Sequence, residues 1–397
     1  TIGTILFLNI LVKDKIIRKR IVPIVADESR TFGMEGMFRQ LGIWSSKGQL
    51  YTPEDADKLM YYKEDKDGQI LQEGINEAGA MSSWIAAATA YSTHGVQMIP
   101  FFIFYSMFGF QRIGDLAWAA GDMRCRGFLM GGTAGRTTLN GEGLQHEDGH
   151  SHLVSSTIPN CISYDPTFSY ELVVIIQDGM RRMYQEQEDV YYYITVMNEN
   201  YSHPEMPKGS EEGILKGMYL FREGNGEGEK NSNLRIQLLG SGTILREVIA
   251  AADILKEEYG VISDIWSVTS FNELRREALD ATRWNMLHPT EKPKKSYVRS
   301  CLEKQEGPVV AATDYMKIFA DQIREFVPGK YRVLGTDGFG RSDTREKLRQ
   351  FFEVDRYYVT VAALKSLAED GKISPEKVVE AINKYNIDPD KPNPIKV

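Results

Sequence analysis

Leu234–Val268 reads LRIQLLGSGTILREVIAAADILKEEYGVISDIWSV. Its first apolar run, Leu234 to Leu239, is short and ends in the turn Gly240-Ser241-Gly242. Ile244 to Tyr259 has the length and composition of a helix, and Val261 to Val268 is a second short apolar run. Strand, turn, helix and strand in that order signal a parallel sheet covered by helices, the α/β class. Downstream the pattern continues with a helix near Phe271 to Trp284, strands near Val309 and Tyr331, and a helical tail from Thr344.

The same alternation precedes this stretch. Ile21 to Ala26 (IVPIVA), Met98 to Phe104, Gly127 to Gly132, Cys161 to Tyr164 and Val190 to Val196 read as buried strands. Between them Ile75 to Tyr91, Arg112 to Ala120 and Phe168 to Met183 read as helices, and Ile2 to Val12 as a further helix of weak pattern. Thr31 to Asp67 is polar and loop-like, and Gln69 to Gly74 reads as a strand and turn. The alternation breaks at Ser202 to Asn233, which holds Pro204, Pro207 and the polar run EGNGEGEKNSN. A domain boundary is expected there, so two α/β domains are expected.

Composition narrows the function classes. The chain has 397 residues, 42% hydrophobic and 26% charged, as in an ordinary globular protein. Its net charge of −8 argues against a nucleic-acid binder, which needs a basic face. The one basic run, Lys13 to Arg20, reads as a solvated helix end. The three cysteines, Cys125, Cys161 and Cys301, lack metal-ligand spacing and fit a reducing compartment. The longest apolar run, Met98 to Phe110, is too short to span a bilayer.

Chemistry-bearing residues concentrate at Gly131–His152, GGTAGRTTLNGEGLQHEDGHSH, with three of the six histidines. Its glycines disfavour both helix and strand, so it is expected to be a shaped loop. His146-Glu147-Asp148-Gly149-His150 matches H-E-x-x-H, but that motif needs a helix to aim both histidines at one metal, and Gly149 lies inside it. No metal site is therefore assigned to the chain. Asp27 and Glu28 stand at the exit of a strand, where ligands bind in open α/β sheets, or cap a turn. Glu77 falls in the first turn of a helix, where the dipole stabilises a carboxylate. There is no G-x-x-x-x-G-K-[ST] and no G-x-G-x-x-G between strand and helix. These residues alone specify no reaction.

Longer words in the sequence do. QEGINEAGAMSSW (Gln72–Trp84), IPFFIFYSMFGFQRIGD (Ile99–Asp115), the loop Gly131–His152, NCISYDPTFSYE (Asn160–Glu171), YYYITVMNENY (Tyr191–Tyr201) and VLGTDGFGRSDTRE (Val333–Glu346) resemble the homodimeric bacterial-type pyruvate dehydrogenases, from about Ile21 to the C-terminus. The resemblance implies two domains: a pyrimidine-binding domain at 1–203 and a transketolase-type C-terminal domain at 204–397. It implies thiamine diphosphate and Mg²⁺ as cofactors. In that family diphosphate and metal are held through a G-D-G…N motif on an N-terminal domain. This sequence has no G-D-G…N, so that domain is expected to be absent from the chain. By resemblance Glu77 hydrogen-bonds the pyrimidine nitrogen and Phe108 packs on its face. Ile75, Tyr105 and Arg112 are neighbouring cofactor contacts, and Asp27, Glu28 and Tyr105 lie near the reacting carbon. His146 contacts the substrate-derived adduct, with Glu142 a nearby acid. His150 and His152 are given structural roles.

The implied activity is decarboxylation of pyruvate and reductive acetylation of a lipoyl group on the dihydrolipoamide acetyltransferase component. A homodimer is implied, in the cytoplasm or the mitochondrial matrix, with neither nucleic acid nor membrane as partner. The alternative expectation is a fragment that dimerises or binds a partner without catalysing the reaction.

Overall fold

The computed structural model describes residues 2–26, 29–224 and 234–397. It divides into two compact units that interleave along the chain. The first comprises Thr1–Ala134, Ser151–Ser163 and Ile175–Asn198; the second comprises Gly135–His150, Tyr164–Val174 and Glu199–Val397.

The strands in chain order are β1 (Ile21–Val25), β2 (Ile43–Trp44), β3 (Glu64–Asp65), β4 (Leu71–Gln72), β5 (Ile99–Tyr105), β6 (Phe128–Gly132), β7 (Cys161–Tyr164), β8 (Tyr191–Thr195), β9 (Met218–Arg222), β10 (Arg235–Gly240), β11 (Ile262–Val268), β12 (Val309–Ala312) and β13 (Tyr331–Leu334). One sheet has the order β4-β1-β5-β6-β8-β7, and β1/β4, β1/β5, β5/β6 and β6/β8 pair in parallel. A parallel sheet is covered on both faces, so its strands are apolar throughout rather than alternating. β5 obeys this, with Ile99 to Phe104 all buried. Phe101 stacks on Phe128 across β5 and β6 at 4.6 Å between ring centres. Trp84, on the helix Glu77–Ala88, is fully buried and donates its indole N–H to the Phe128 carbonyl at 3.1 Å. Burial of each such aromatic contributes about 1.5–3 kcal/mol.

The second unit carries a five-stranded sheet, β13-β12-β10-β11-β9. β10 pairs in parallel with β11 and β12, and β12 with β13. The helix Ile244–Tyr259 buries Ile244, Leu245, Val248, Ala251, Ala252 and Leu255 in a core that also holds Val359, Ala363 and Leu367 of the helix Arg356–Glu369. The spacing of those side chains is the three-to-four-residue stripe of a helix lying on a sheet.

Two expectations are corrected. Ser202 to Asn233 is not a featureless boundary: it contains the helix Glu211–Lys216 and β9, which pairs antiparallel with β11, placing Leu220 opposite Trp266. Residues 225–233 lie outside the described residues. Thr31 to Asp67 holds the helix Glu35–Leu41 and the two-residue strands β2 and β3. The helix expected over Phe168 to Met183 is present, α-helical at Ser169–Met180 and continuing as a π-helix over Arg181–Gln185. Lys13 to Arg20 follows the helix Ile2–Leu11, with its charged residues exposed. Among the described residues no helix is long and apolar enough to cross a membrane.

Candidate functional site

In the first unit β4, β1, β5 and β6 run parallel, so their C-terminal ends lie on one edge of the sheet, the edge where open α/β sheets place ligands. β4 leads through Gly74 to the helix that starts at Glu77. Asn76 caps that helix, its side chain accepting from the Gly79 N–H at 3.0 Å. Glu77 is thereby fixed in the first turn, where the helix dipole favours its charge, and it is only 8% exposed.

β5 ends at Tyr105, and the next helix, Gly109–Asp122, starts after Phe108. Its first turn presents Arg112, whose guanidinium donates to the Glu77 carboxylate at 2.5 Å. The same guanidinium lies over the Phe108 ring, 4.3 Å from its centre. Phe108 meets Tyr105 edge-on at 6.0 Å, and Tyr105 meets Phe32 at 5.4 Å. Ser106 is buried; its N–H donates to the Gly132 carbonyl at 2.9 Å, tying the exits of β5 and β6 together. Its hydroxyl finds no hydrogen-bond partner among the described residues.

Glu77, Tyr105, Phe108 and Arg112 are thus brought together. Ile75 precedes them on the same turn and is 73% exposed. Asp27 and Glu28 lie outside the described residues. The cluster offers a buried carboxylate and an aromatic face, both engaged by one planar, nitrogen-bearing cation. A nitrogen heteroaromatic ring makes the same two kinds of contact, a hydrogen bond to the carboxylate and packing on the aromatic face.

The loop divides between units. Gly131–Ala134 and Ser151–His152 belong to the first, and Gly135–His150 to the second. His146 closes the single 3-10 turn Leu144–His146, and its Nδ1 lies 3.2 Å from Glu142 Oε2. His150 lies in a bend, and the next helix starts at Ser151. The two histidines of the H-E-x-x-H match therefore share no helix, and the geometry of a zinc protease is missing. Glu147, the glutamate of that match, is buried and accepts from the Arg341 N–H at 2.7 Å; burial pushes its carboxyl up to about 8. His152 is buried in the first unit, with Nε2 at 2.9 Å from the Thr195 hydroxyl and its ring against Tyr193.

Two further buried residues, Arg136 in the loop and Asp314 beyond β12, shape this region. Arg136 is buried, and its guanidinium donates to the Gly338 carbonyl at 2.5 Å. Asp314 is buried just beyond β12 and accepts from Thr137 and Thr138. Burial raises the Asp314 carboxyl against the pull of Arg349 and the threonine donors. Asp314 is an acid at a strand exit, the same signal that singled out Asp27.

The family model of the pyruvate dehydrogenase E1 component middle domain matches residues 1–204, and that of the transketolase-like C-terminal domain matches residues 217–355. The chain is 70% identical over 398 residues to the pyruvate dehydrogenase E1 component of Cupriavidus necator, and 67% identical over 396 residues to that of Pseudomonas aeruginosa. Each alignment covers 100% of this chain and 44% of the relative, so the chain spans less than half the length of these proteins. The fold is also that of transketolase from Leishmania mexicana, with a TM-score of 0.65 at 16% identity over 92% of this chain and 45% of that one. A middle-domain match across half of the chain places it in the pyruvate dehydrogenase E1 component family.

Proposed function

We propose that this chain forms the pyrimidine-binding and C-terminal domains of a thiamine diphosphate-dependent pyruvate dehydrogenase. The enzyme would decarboxylate pyruvate, acetylate a lipoyl group on the acetyltransferase component and work as a homodimer. The observation that carries the reading is the Glu77 carboxylate, buried at a capped helix start beside an aromatic face. When bound, thiamine diphosphate supplies the electron sink for the loss of CO₂.

The protein residues do the rest. Glu77 holds a proton at the pyrimidine nitrogen, a general acid–base role that requires a fixed, desolvated carboxylate. Asn76 keeps that carboxylate oriented by fixing the helix start. Phe108 and Tyr105 provide the apolar wall against which the ring packs, and Ile75 and Arg112 border it. Glu142 orients the His146 ring, which hydrogen-bonds the substrate-derived group. Asp27 and Glu28 are assigned polar contacts near the reacting carbon. No residue of this chain is assigned to Mg²⁺ or to the diphosphate.

The test is pyruvate decarboxylation with thiamine diphosphate and Mg²⁺, assayed on this chain alone and joined to the remaining length of its relatives. Turnover of the joined form, lost with Glu77→Ala, is expected. A second reading is a dimerising or partner-binding piece without turnover of its own. Turnover by this chain alone rules that second reading out.

A further inference from the structure

The Glu142–His146 pair rides on a glycine-rich loop, and such a loop gains no definite shape from its own sequence. Contacts within the second unit supply the shape. The Asp314 carboxylate enters the loop's first turn. Its Oδ1 accepts from the Thr137 N–H at 2.9 Å and from the Thr137 hydroxyl at 2.6 Å. Its Oδ2 accepts from the Thr138 hydroxyl at 2.6 Å, and that hydroxyl also meets Thr243 at 2.6 Å. The Asp314 carbonyl accepts from the Arg136 N–H at 3.1 Å. Two residues further on, the Met316 N–H donates to the Gly149 carbonyl at 2.8 Å. One short segment after β12 therefore grips the loop at both ends, at Arg136–Thr138 and at Gly149. Glu142 and His146 lie on the arch between.

Glycine is required where the grip is tightest. Gly135 has φ +90°, and a Cβ there would collide with the Asp314 carboxylate. A Cβ at Gly149 would collide with the Arg136 guanidinium. The cradle is built to the shape of the loop rather than merely lying near it.

We infer that Asp314 is a positioning residue for the reaction: by gripping both ends of the loop, the segment Asp314–Met316 sets where the Glu142–His146 pair stands. The inference rests on the assignment of His146 to the substrate. Misplacing a reacting or orienting group by about 1 Å can lower kcat by about 10²-fold. Asp314→Ala removes the acceptor from three buried donors, so the arch loses its side-chain grip at Thr137 and Thr138 while the backbone bonds at Arg136 and Gly149 remain.

The experiment is a double-mutant cycle on kcat for pyruvate decarboxylation in the intact enzyme. Asp314→Ala is expected to lower kcat by about 10²-fold, and Thr137→Val to lower it less. Asp314→Asn is expected to recover most of the rate, because the amide oxygen still accepts both Thr137 bonds and the amide nitrogen can donate to the Thr138 hydroxyl. In a His146→Ala background, Asp314→Ala should cause no further loss. If the two losses multiply, Asp314 acts on turnover independently of His146 and the inference is overturned. If Asp314→Ala does not fold, Thr137→Val carries the same cycle. Full activity in His146→Ala alone would overturn the His146 assignment itself, a result distinct from multiplying losses.

Discussion

Glu77 and His146 reach their places by opposite means. Glu77 is set by its neighbours in sequence: a cap one residue before it, a helix after it and a packed strand at hand. His146 is set from a distance. Its loop is shaped by Asp314, 177 residues beyond Thr137 in the chain, and by Arg341, 194 residues beyond Glu147. Local fixation resists damage elsewhere in the protein, whereas remote fixation makes the loop a reporter of the second unit's integrity.

The largest expected effect tests the local half. Glu77→Ala should lower kcat for pyruvate decarboxylation by about 10²–10⁴-fold in the intact enzyme, the range for loss of a general acid–base group. Unchanged kcat would remove Glu77 from the chemistry. Next comes the remote half. Gly135→Ala forces a Cβ into a left-handed backbone and into Asp314, and should destabilise the second unit by about 1–3 kcal/mol. A thermal midpoint equal to that of the parent would show that the loop can relax away from Asp314.

A third test uses pH. Burial raises Glu147 from 4.5 to about 8, so between those values the folded chain binds more protons than the unfolded chain. Stability contributed by this group is therefore greatest at low pH and declines as pH rises through about 8. Glu147→Gln should flatten the fall of the unfolding midpoint between about pH 5 and pH 8. An unaltered pH profile would mean that the carboxylate is solvated in solution. The smallest effect has the opposite sign. Gly114 lies within the helix Gly109–Asp122, and a Cβ there meets open space. Gly114→Ala should stabilise the first unit by about 0.5–1 kcal/mol through helix propensity, read as a small rise in midpoint. A fall would reveal a close neighbour on that face.

What could be read from sequence follows the same division. The strands near Ile21, Met98 and Gly127 and the helix Ile244–Tyr259 were legible because hydrophobic runs and periodicity are local signals. Glu77 at a first turn was legible for the same reason. β9 was not: MYLFR sits beside a polar run, and only pairing with β11 makes it a strand. The short elements between Thr31 and Asp67 were hidden likewise, since two-residue strands exist only through their partners. Glu142 and His146 could be named by resemblance, but nothing local foretold that Asp314 holds their loop. The H-E-x-x-H match could be set aside from sequence alone, because Gly149 argues against the helix that it needs, and His146 and His150 share no helix.

The interleaving of the two units has a consequence for anyone who would take the molecule apart or recombine it. A cut near residue 204 strips the second unit of Gly135–His150 and Tyr164–Val174, and leaves Asp314 without the threonines it grips. A chimera joined at the same point would bring together a loop and a cradle from different parents. Swaps should therefore succeed only between parents that match at Gly135, Thr137, Thr138 and Asp314 together, although the chain writes them far apart.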